Sequence, residues 1–268
     1  MKENNHDLRI HGGKPLSGTI TTNASKNGSV AILCAALVNQ GKTHLRGIAD
    51  IEEVKRLIEV MEDLGVSVTR ENNAITIKPP AAYNVHGLYN KSFERIRSGL
   101  MLIPALAHAH TTFKLPAAGG CNMGKRTTIA HTHGLEKLGI SIQQEEQHSV
   151  ISKTKPKTDT IVMYEMSDTA TVSMLIAASL TAQTTTLSFA SANYQVQEVC
   201  FFLQTLGVEI EGIGTSTLRV HGIGTIAKEV TYTNSEDPTE SMACIAIAAA
   251  TNSPLTICLL YTSPSPRD

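Results

Sequence analysis

The chain contains no tryptophan, and aromatic residues occupy only 4% of its 268 positions. Binding of single-stranded nucleic acid relies on aromatic stacking, and binding of a duplex relies on an excess of cations; a formal charge of −1 supplies no such excess. Nucleic acid and anionic membrane surfaces are therefore not expected as partners, and any phosphate must be recognised locally. Long hydrophobic runs are absent too: the longest, such as Ile245 to Ala250, fall far short of the roughly twenty residues needed to cross a bilayer. Met1 to Asp7 lacks the apolar centre of a signal peptide, so a cytoplasmic protein is expected. The five cysteines, at 34, 121, 200, 244 and 258, are scattered and odd in number, which fits neither a disulfide framework nor a zinc knuckle. Cys34, Cys200 and Cys244 lie among Ala, Ile, Leu and Phe and read as buried fillers; Cys121 does not.

Cys121 sits in Gly119-Gly120-Cys121-Asn122-Met123-Gly124-Lys125-Arg126. Glycines let a backbone turn sharply and approach a ligand closely, while the two cations can pair with a phosphate or carboxylate and draw a thiol towards its reactive thiolate. The same pattern also suits an ordinary glycine-rich turn with a solvated Lys-Arg pair.

A supersecondary unit recurs along the chain. Leu64-Gly65, Leu138-Gly139 and Leu206-Gly207 each close a helix pattern and are followed by Val-Ser-Val, Ile-Ser-Ile and Val-Glu-Ile. Each copy opens with an apolar helix (29–38, 98–107, 171–180) and continues with a short strand (42–46, 111–115, 184–189). A second helix follows, marked by Val54, Leu57, Ile58, Met61 and Leu64 in the first copy and by Val196, Val199, Cys200, Leu203 and Leu206 in the third. Hairpins are expected at 66–77, 140–152 and 208–220. The unit is thus β-α-β-α-β-β, and repeated units bury their apolar faces against one another. An inside-out α/β architecture results, with helices inside and sheets outside, because a helix without a polar face needs cover all round. A fourth copy begins at Ser241 to Ala248 with a strand at Pro254 to Cys258, but no second helix follows, and Tyr261 to Asp268 is Ser/Pro-rich. A C-terminally truncated chain is expected, with its last eleven residues foreign to the pattern.

Asn23-Ala24-Ser25-Lys26-Asn27-Gly28-Ser29 leads into the first apolar helix. Free N–H groups and the positive helix end there, with Lys26, suit an anion; an ordinary N-cap would look the same. Arg97 precedes the second apolar helix and Ser167-Asp168-Thr169 the third, which suggests several helix starts converging on one polyanionic ligand. His108, His110, His131 and His133 have no carboxylate cluster at matching spacing and are expected on solvated helix faces, without a metal.

Ala24-Ser25-Lys26-Asn27, the Gly-Gly-Cys loop leading to Arg126 and Gly134-Leu135-Glu136-Lys137-Leu138-Gly139 together resemble the enolpyruvyl transferases, over about residues 8–257. The closer likeness is to the branch acting on UDP-N-acetylglucosamine; the branch of aromatic biosynthesis lacks the cysteine loop and the Lys-Asn pair in this form. The resemblance implies two domains of three units each with substrates between them. Residues 26–236 would form the first domain, 1–25 and 237–257 a remnant of the second, and 258–268 a tail outside the family. It further implies that Lys26 and Arg126 hold phosphoenolpyruvate, that Asn27 touches both ligands, that Arg97 and Ser167 face the nucleotide sugar, and that Cys121 is the proton-donating or adduct-forming thiol, the target of fosfomycin in this family. No cofactor is implied, and a monomer is expected. The pattern departs from the family at Thr127, where a Pro is usual, at Ile129, where an Asp is usual, and at Glu165, where a Lys is common. These departures also fit a non-catalytic nucleotide-sugar-binding paralogue or a different acceptor. The family's general-base Asp lies in the part with no counterpart here.

Overall fold

A computed structural model describes residues 9–71, 74–89, 91–116, 127–146 and 148–258. The first unit runs through α1 (Lys26–Ala36), β2 (Thr43–Arg46), α2 (Glu52–Asp63), β3 (Ser67–Glu71) and β4 (Ala74–Lys78), after a leading strand β1 (Gly18–Thr21). The second has α3 (Ile103–Ala109), β5 (Thr112–Pro116), α4 (Ile129–Lys137), β6 (Ile140–Gln144) and β7 (His148–Lys153). The third is β8 (Thr160–Val162), α5 (Asp168–Ser179), β9 (Thr184–Ser188), α6 (Tyr194–Thr205), β10 (Glu209–Glu211) and β11 (Thr217–His221). β12 (Val230–Thr233), α7 (Pro238–Ala250) and β13 (Leu255–Cys258) complete the described chain.

Side-chain polarity explains the layering. In α1 every residue from Gly28 to Ala36 is buried, and in α5 every residue from Ala170 to Ser179. Helices with no polar face are stable only when covered on all sides, and each fully buried Leu or Ile contributes about 1.5–3 kcal/mol relative to exposure. α2 carries one apolar stripe, Val54, Leu57, Ile58 and Met61, and turns its charges outward. Strands β4, β7, β9 and β11 alternate buried with more exposed residues, Leu218 and Val220 of β11 pointing inward, whereas no residue of β1 or β13 is buried.

Two β-hairpin sheets each gain a strand by a parallel crossover. β8 adds to β9 at one edge of β10-β11-β9-β8, and β12 adds to β2 at one edge of β12-β2-β4-β3. β5-β7-β6 stands as three strands, and β1 pairs in parallel with β13. The strand leading into α7 therefore belongs to the first unit's sheet, while the strand leading into α1 pairs beyond α7.

A common polar device starts α1 and α5. Ser25 Oγ accepts from the Gly28 N–H and Ser167 Oγ from that of Ala170. Four residues on, Ser29 and Thr171 donate their hydroxyls to the cap carbonyls, at 2.7 and 2.8 Å, and accept the N–H groups of Ala49 and Ser191. At the other end of the units, Gly65, Gly139 and Gly207 all have φ between 82° and 93°, the left-handed conformation that terminates a helix at little cost only for glycine.

The apolar helix expected at 98–107 is divided. Ser98–Leu102 forms a 3-10 turn and α3 starts only at Ile103, with Pro104 in its first turn. Proline has no N–H and clashes with the preceding turn, so a continuous α-helix through that position is disfavoured. Cys34 and Cys200 are buried, and burial pushes the Cys200 thiol up to about 12 and the Cys34 thiol higher still. Cys244 departs from the expectation: it is half-exposed on α7, whose Met242, Ile245 and Ile247 also face outward.

Candidate active site

Two groups of residues stand at helix starts. In the first, Lys26 is the opening residue of α1, exposed, with Nζ 2.7 Å from Glu53 Oε2 in the first turn of α2. Its backbone N–H donates to Asp237 Oδ2 at 3.3 Å. Asn27 beside it is exposed and makes no side-chain hydrogen bond among the described residues. An anion arriving at Lys26 must therefore share the ammonium with Glu53, a carboxylate to which the sequence pattern gave no role.

The second group lies where α4 meets α5. Arg97 Nη2 donates to the Thr127 carbonyl at 3.2 Å, and Ser167 caps α5. His131 joins the two helices: Nδ1 is 3.1 Å from Ser173 Oγ and Nε2 is 3.1 Å from Thr169 Oγ1. Ser173 already donates to the Thr169 carbonyl, so the consistent assignment places the proton on Nδ1 and lets Nε2 accept from Thr169. The expectation of solvated histidines is thus corrected at His131, which is 4% exposed, because two hydroxyls one helical turn apart satisfy both ring nitrogens. No hydrogen bond or ion pair joins Lys26 or Asn27 to Arg97 or Ser167 among the described residues.

Burial, and then the charge of Arg97, lowers the His131 pKa from 6.5 to about 4. The unfolded chain takes up this proton as pH falls through 6.5 while the folded chain resists until about 4, so stability is complete above pH 6.5 and is lost towards pH 4. Urea unfolding is expected to show about 2 kcal/mol less stability at pH 5 than at pH 7 from this group. His131→Gln should flatten that dependence; an equal slope in the variant would assign it elsewhere.

Next to Ser167, Asp168 is held by Ser191 Oγ and by Asn193 Nδ2, the latter at 2.8 Å. Tyr164 and Met166 are exposed, and the His133 and Tyr164 rings lie 5.8 Å apart. Cys121, Lys125 and Arg126, with the whole glycine loop, lie outside the described residues.

A third polar cluster, which the sequence pattern did not single out, ties the strand leading into α1 to the one leading into α7. Ser25 N–H donates to the Ser235 carbonyl at 2.8 Å and Asp237 N–H to that of Asn23 at 2.9 Å. Asn234 Nδ2 reaches the carbonyls of Ser25 and Gly47 and the Ser29 hydroxyl. Glu198 on α6 is 4% exposed and accepts from Ser235 N–H, Ser235 Oγ and Tyr232 Oη at 3.2, 2.6 and 2.9 Å. Lys26 follows directly on this junction.

A family profile described as EPSP synthase (3-phosphoshikimate 1-carboxyvinyltransferase) matches residues 10–264. The chain belongs to the EPSP synthase family. Among its relatives are proteins named UDP-N-acetylglucosamine 1-carboxyvinyltransferase. That of Coprothermobacter proteolyticus is 33% identical over 251 residues, covering 93% of this chain and 58% of the relative. That of Chlorobium chlorochromatii is 33% identical over 254 residues, covering 93% and 59%. This member of the EPSP synthase family therefore spans less than two thirds of their length. Among solved structures, the enolpyruvyl transferase NikO from Streptomyces tendae superposes with a TM-score of 0.72 at 22% identity, over 88% of this chain and 56% of that one. EPSP synthase from Acinetobacter baumannii gives 0.67 at 19%, over 89% and 54%. These superpositions establish the enolpyruvyl transferase fold. Among the described residues, no helix is long and apolar enough to cross a membrane.

Proposed function

We propose that this chain is the first domain, with part of the second, of a UDP-N-acetylglucosamine 1-carboxyvinyltransferase. The parent protein moves the enolpyruvyl group of phosphoenolpyruvate to the 3-hydroxyl of UDP-N-acetylglucosamine and releases phosphate, an early step towards peptidoglycan in the cytoplasm. The reading is carried by the relatives' shared name at 33% identity, together with the exposed Lys26-Asn27 pair at a capped helix start. In this reading residues 26–236 are the first domain, 1–25 and 237–257 belong to the second, and the crossing at Asn23–Ser25 and Ser235–Asp237 is the junction between them.

Each group has a task in the chemistry. Protonation at C3 of phosphoenolpyruvate makes C2 an oxocarbenium-like electrophile, the sugar hydroxyl adds there as it gives up its proton, and phosphate departs with the C–O bond pair while C3 loses a proton to restore the double bond; an acid, a base and cations around the phosphate are required. Cys121 supplies the acid, Lys26 and Arg126 hold the phosphate, Asn27 contacts both substrates, and Arg97 and Ser167 face the nucleotide sugar. No cofactor takes part, and the protein works as a monomer. Ligands on one wall of a two-domain cleft stay wet, which weakens every electrostatic interaction; the 268-residue chain is therefore expected to be inactive by itself.

A second reading, a nucleotide-sugar-binding paralogue without catalysis or an enzyme with another acceptor, is favoured by the acceptor end: Thr127 gives its carbonyl to Arg97, and Ile129 and Met166 are exposed apolar side chains. Calorimetry with UDP-N-acetylglucosamine separates these. For the phosphate end, the Lys26–Glu53 pair offers a test in this chain. Glu53→Gln is expected to tighten phosphate binding about threefold by freeing the ammonium, a modest gain because the pair is exposed; unchanged affinity, or equal affinity in Lys26→Met, would remove Lys26 from the phosphate site.

A further inference from the structure

We propose that a pocket at the opposite end of α5 binds a small apolar carboxylate through Lys153. The pocket has a volume of about 260 Å³. Its walls are Pro104 and His108 of α3, Leu138 and Ile140 on either side of the turn after α4, and Ala177 and Leu180 at the end of α5. It is remote from the candidate active site: α5 has 12 residues from Asp168 to Ser179, so its two ends are about 18 Å apart.

The electrostatics of the lining select the ligand. Helix C-terminal carbonyls would ordinarily favour a cation, but those ending α5 are occupied. Ala177 O accepts from Leu180 N–H, Ala178 O from both the N–H and the hydroxyl of Thr181, and Ser179 O from Ile223 N–H. Lys153, in contrast, has only long contacts, 3.4 Å to His108 Nδ1 and 3.5 Å to the His108 carbonyl. No carboxylate lies within 4.0 Å of its Nζ among the described residues, whereas Lys26, Lys55 and Arg56 each have one. Burial lowers the pKa of Lys153 and, with the lysine charge beside it, that of His108. A half-buried ammonium without a counter-ion, beside a neutral imidazole and apolar walls, matches a carboxylate carrying a ring or short hydrocarbon body: the charge pairs with Nζ and the body fills the pocket. The Thr181 hydroxyl is committed to the Ala178 carbonyl, which leaves the amide of Gln183, also in the lining, to donate to the second carboxylate oxygen.

Benzoate and benzamide, alike in shape and different in charge, test this on the intact 268-residue chain. Lysines are methylated with trace formaldehyde and cyanoborohydride and read individually by peptide mass spectrometry. Saturating benzoate is expected to slow labelling of Lys153 about tenfold, while benzamide leaves it unchanged and the exposed Lys155 and Lys157 react equally in both. In thermal-shift titrations, Lys153→Met should weaken benzoate about tenfold, and Lys153→Arg should retain it. The proposal fails if benzamide protects Lys153 as well as benzoate does, if benzoate slows all three lysines alike, or if it protects none. The comparison of the two ligands on the unmodified chain decides even if the Met variant does not fold.

Discussion

Cys121→Ala in the parent protein is expected to abolish alkylation by fosfomycin and to lower phosphoenolpyruvate turnover at least about 100-fold, the usual contribution of a positioned acid. In the sequence the thiol follows Gly119-Gly120 and precedes Gly124-Lys125-Arg126, residue types that permit close backbone approach and can draw a thiol towards its thiolate. The other cysteines make a control. Burial raises the Cys34 and Cys200 thiols, which keeps them protonated and inert. Mass spectrometry after fosfomycin treatment should therefore find a single adduct, on Cys121. An unlabelled Cys121 in a folded protein, or an adduct on Cys244 or Cys258 instead, would withdraw the thiol from the mechanism.

Glu198→Ala is expected to cost about 4 kcal/mol of stability, because each buried donor that loses its acceptor costs about 1–3 kcal/mol. Three donors converge on this carboxylate, the Ser235 N–H and hydroxyl and the Tyr232 hydroxyl; truncation strips the two buried Ser235 donors of their acceptor, while the Tyr232 hydroxyl keeps the Glu198 carbonyl at 3.3 Å. A cavity of most of a glutamate side chain adds to the loss. Because Ser235 also gives its carbonyl to Ser25 N–H, one residue before Lys26, the damage should reach the start of α1. Urea denaturation measures the loss, and hydrogen exchange at Ser25 and Asp237 should accelerate in the same variant. A change below about 1 kcal/mol, the ordinary effect of an exposed substitution, would mean that the strands hold together without this acceptor.

Most of the architecture was legible because it rests on patterns with a fixed period. The apolar stripe of α2 and the Leu-Gly pairs at 64–65, 138–139 and 206–207 report local geometry, a helix face and a left-handed helix end, and each is realised in the structure. Pro104 marked the division of the 98–107 helix, but its message competed with the apolar run around it, and backbone sterics prevailed. Glu198 and Asn234 were not legible. Their partners, Ser235 and Ser25, are separated from them by 37 and 209 positions, and no local spacing announces such a contact. His131 was misread for the same reason, since its solvent exclusion depends on Thr169 and Ser173 of a different unit. Glu53, which pairs with Lys26, carries no local signal, because an acid in the first turn of a helix is favoured by the dipole in any case. For the candidate site, residue types near helix starts were readable, but their distribution into two separate groups of contacts was not.

Phosphate release from phosphoenolpyruvate in the presence of UDP-N-acetylglucosamine decides whether these 268 residues provide one wall of a carboxyvinyltransferase cleft. The parent protein is expected to release phosphate only when both substrates are present, and the 268-residue chain to release none. Release by the 268-residue chain that is abolished by Cys121→Ala would contradict this and show that this domain suffices for catalysis; a parent protein that binds the nucleotide sugar but releases no phosphate would contradict the assignment of catalysis altogether.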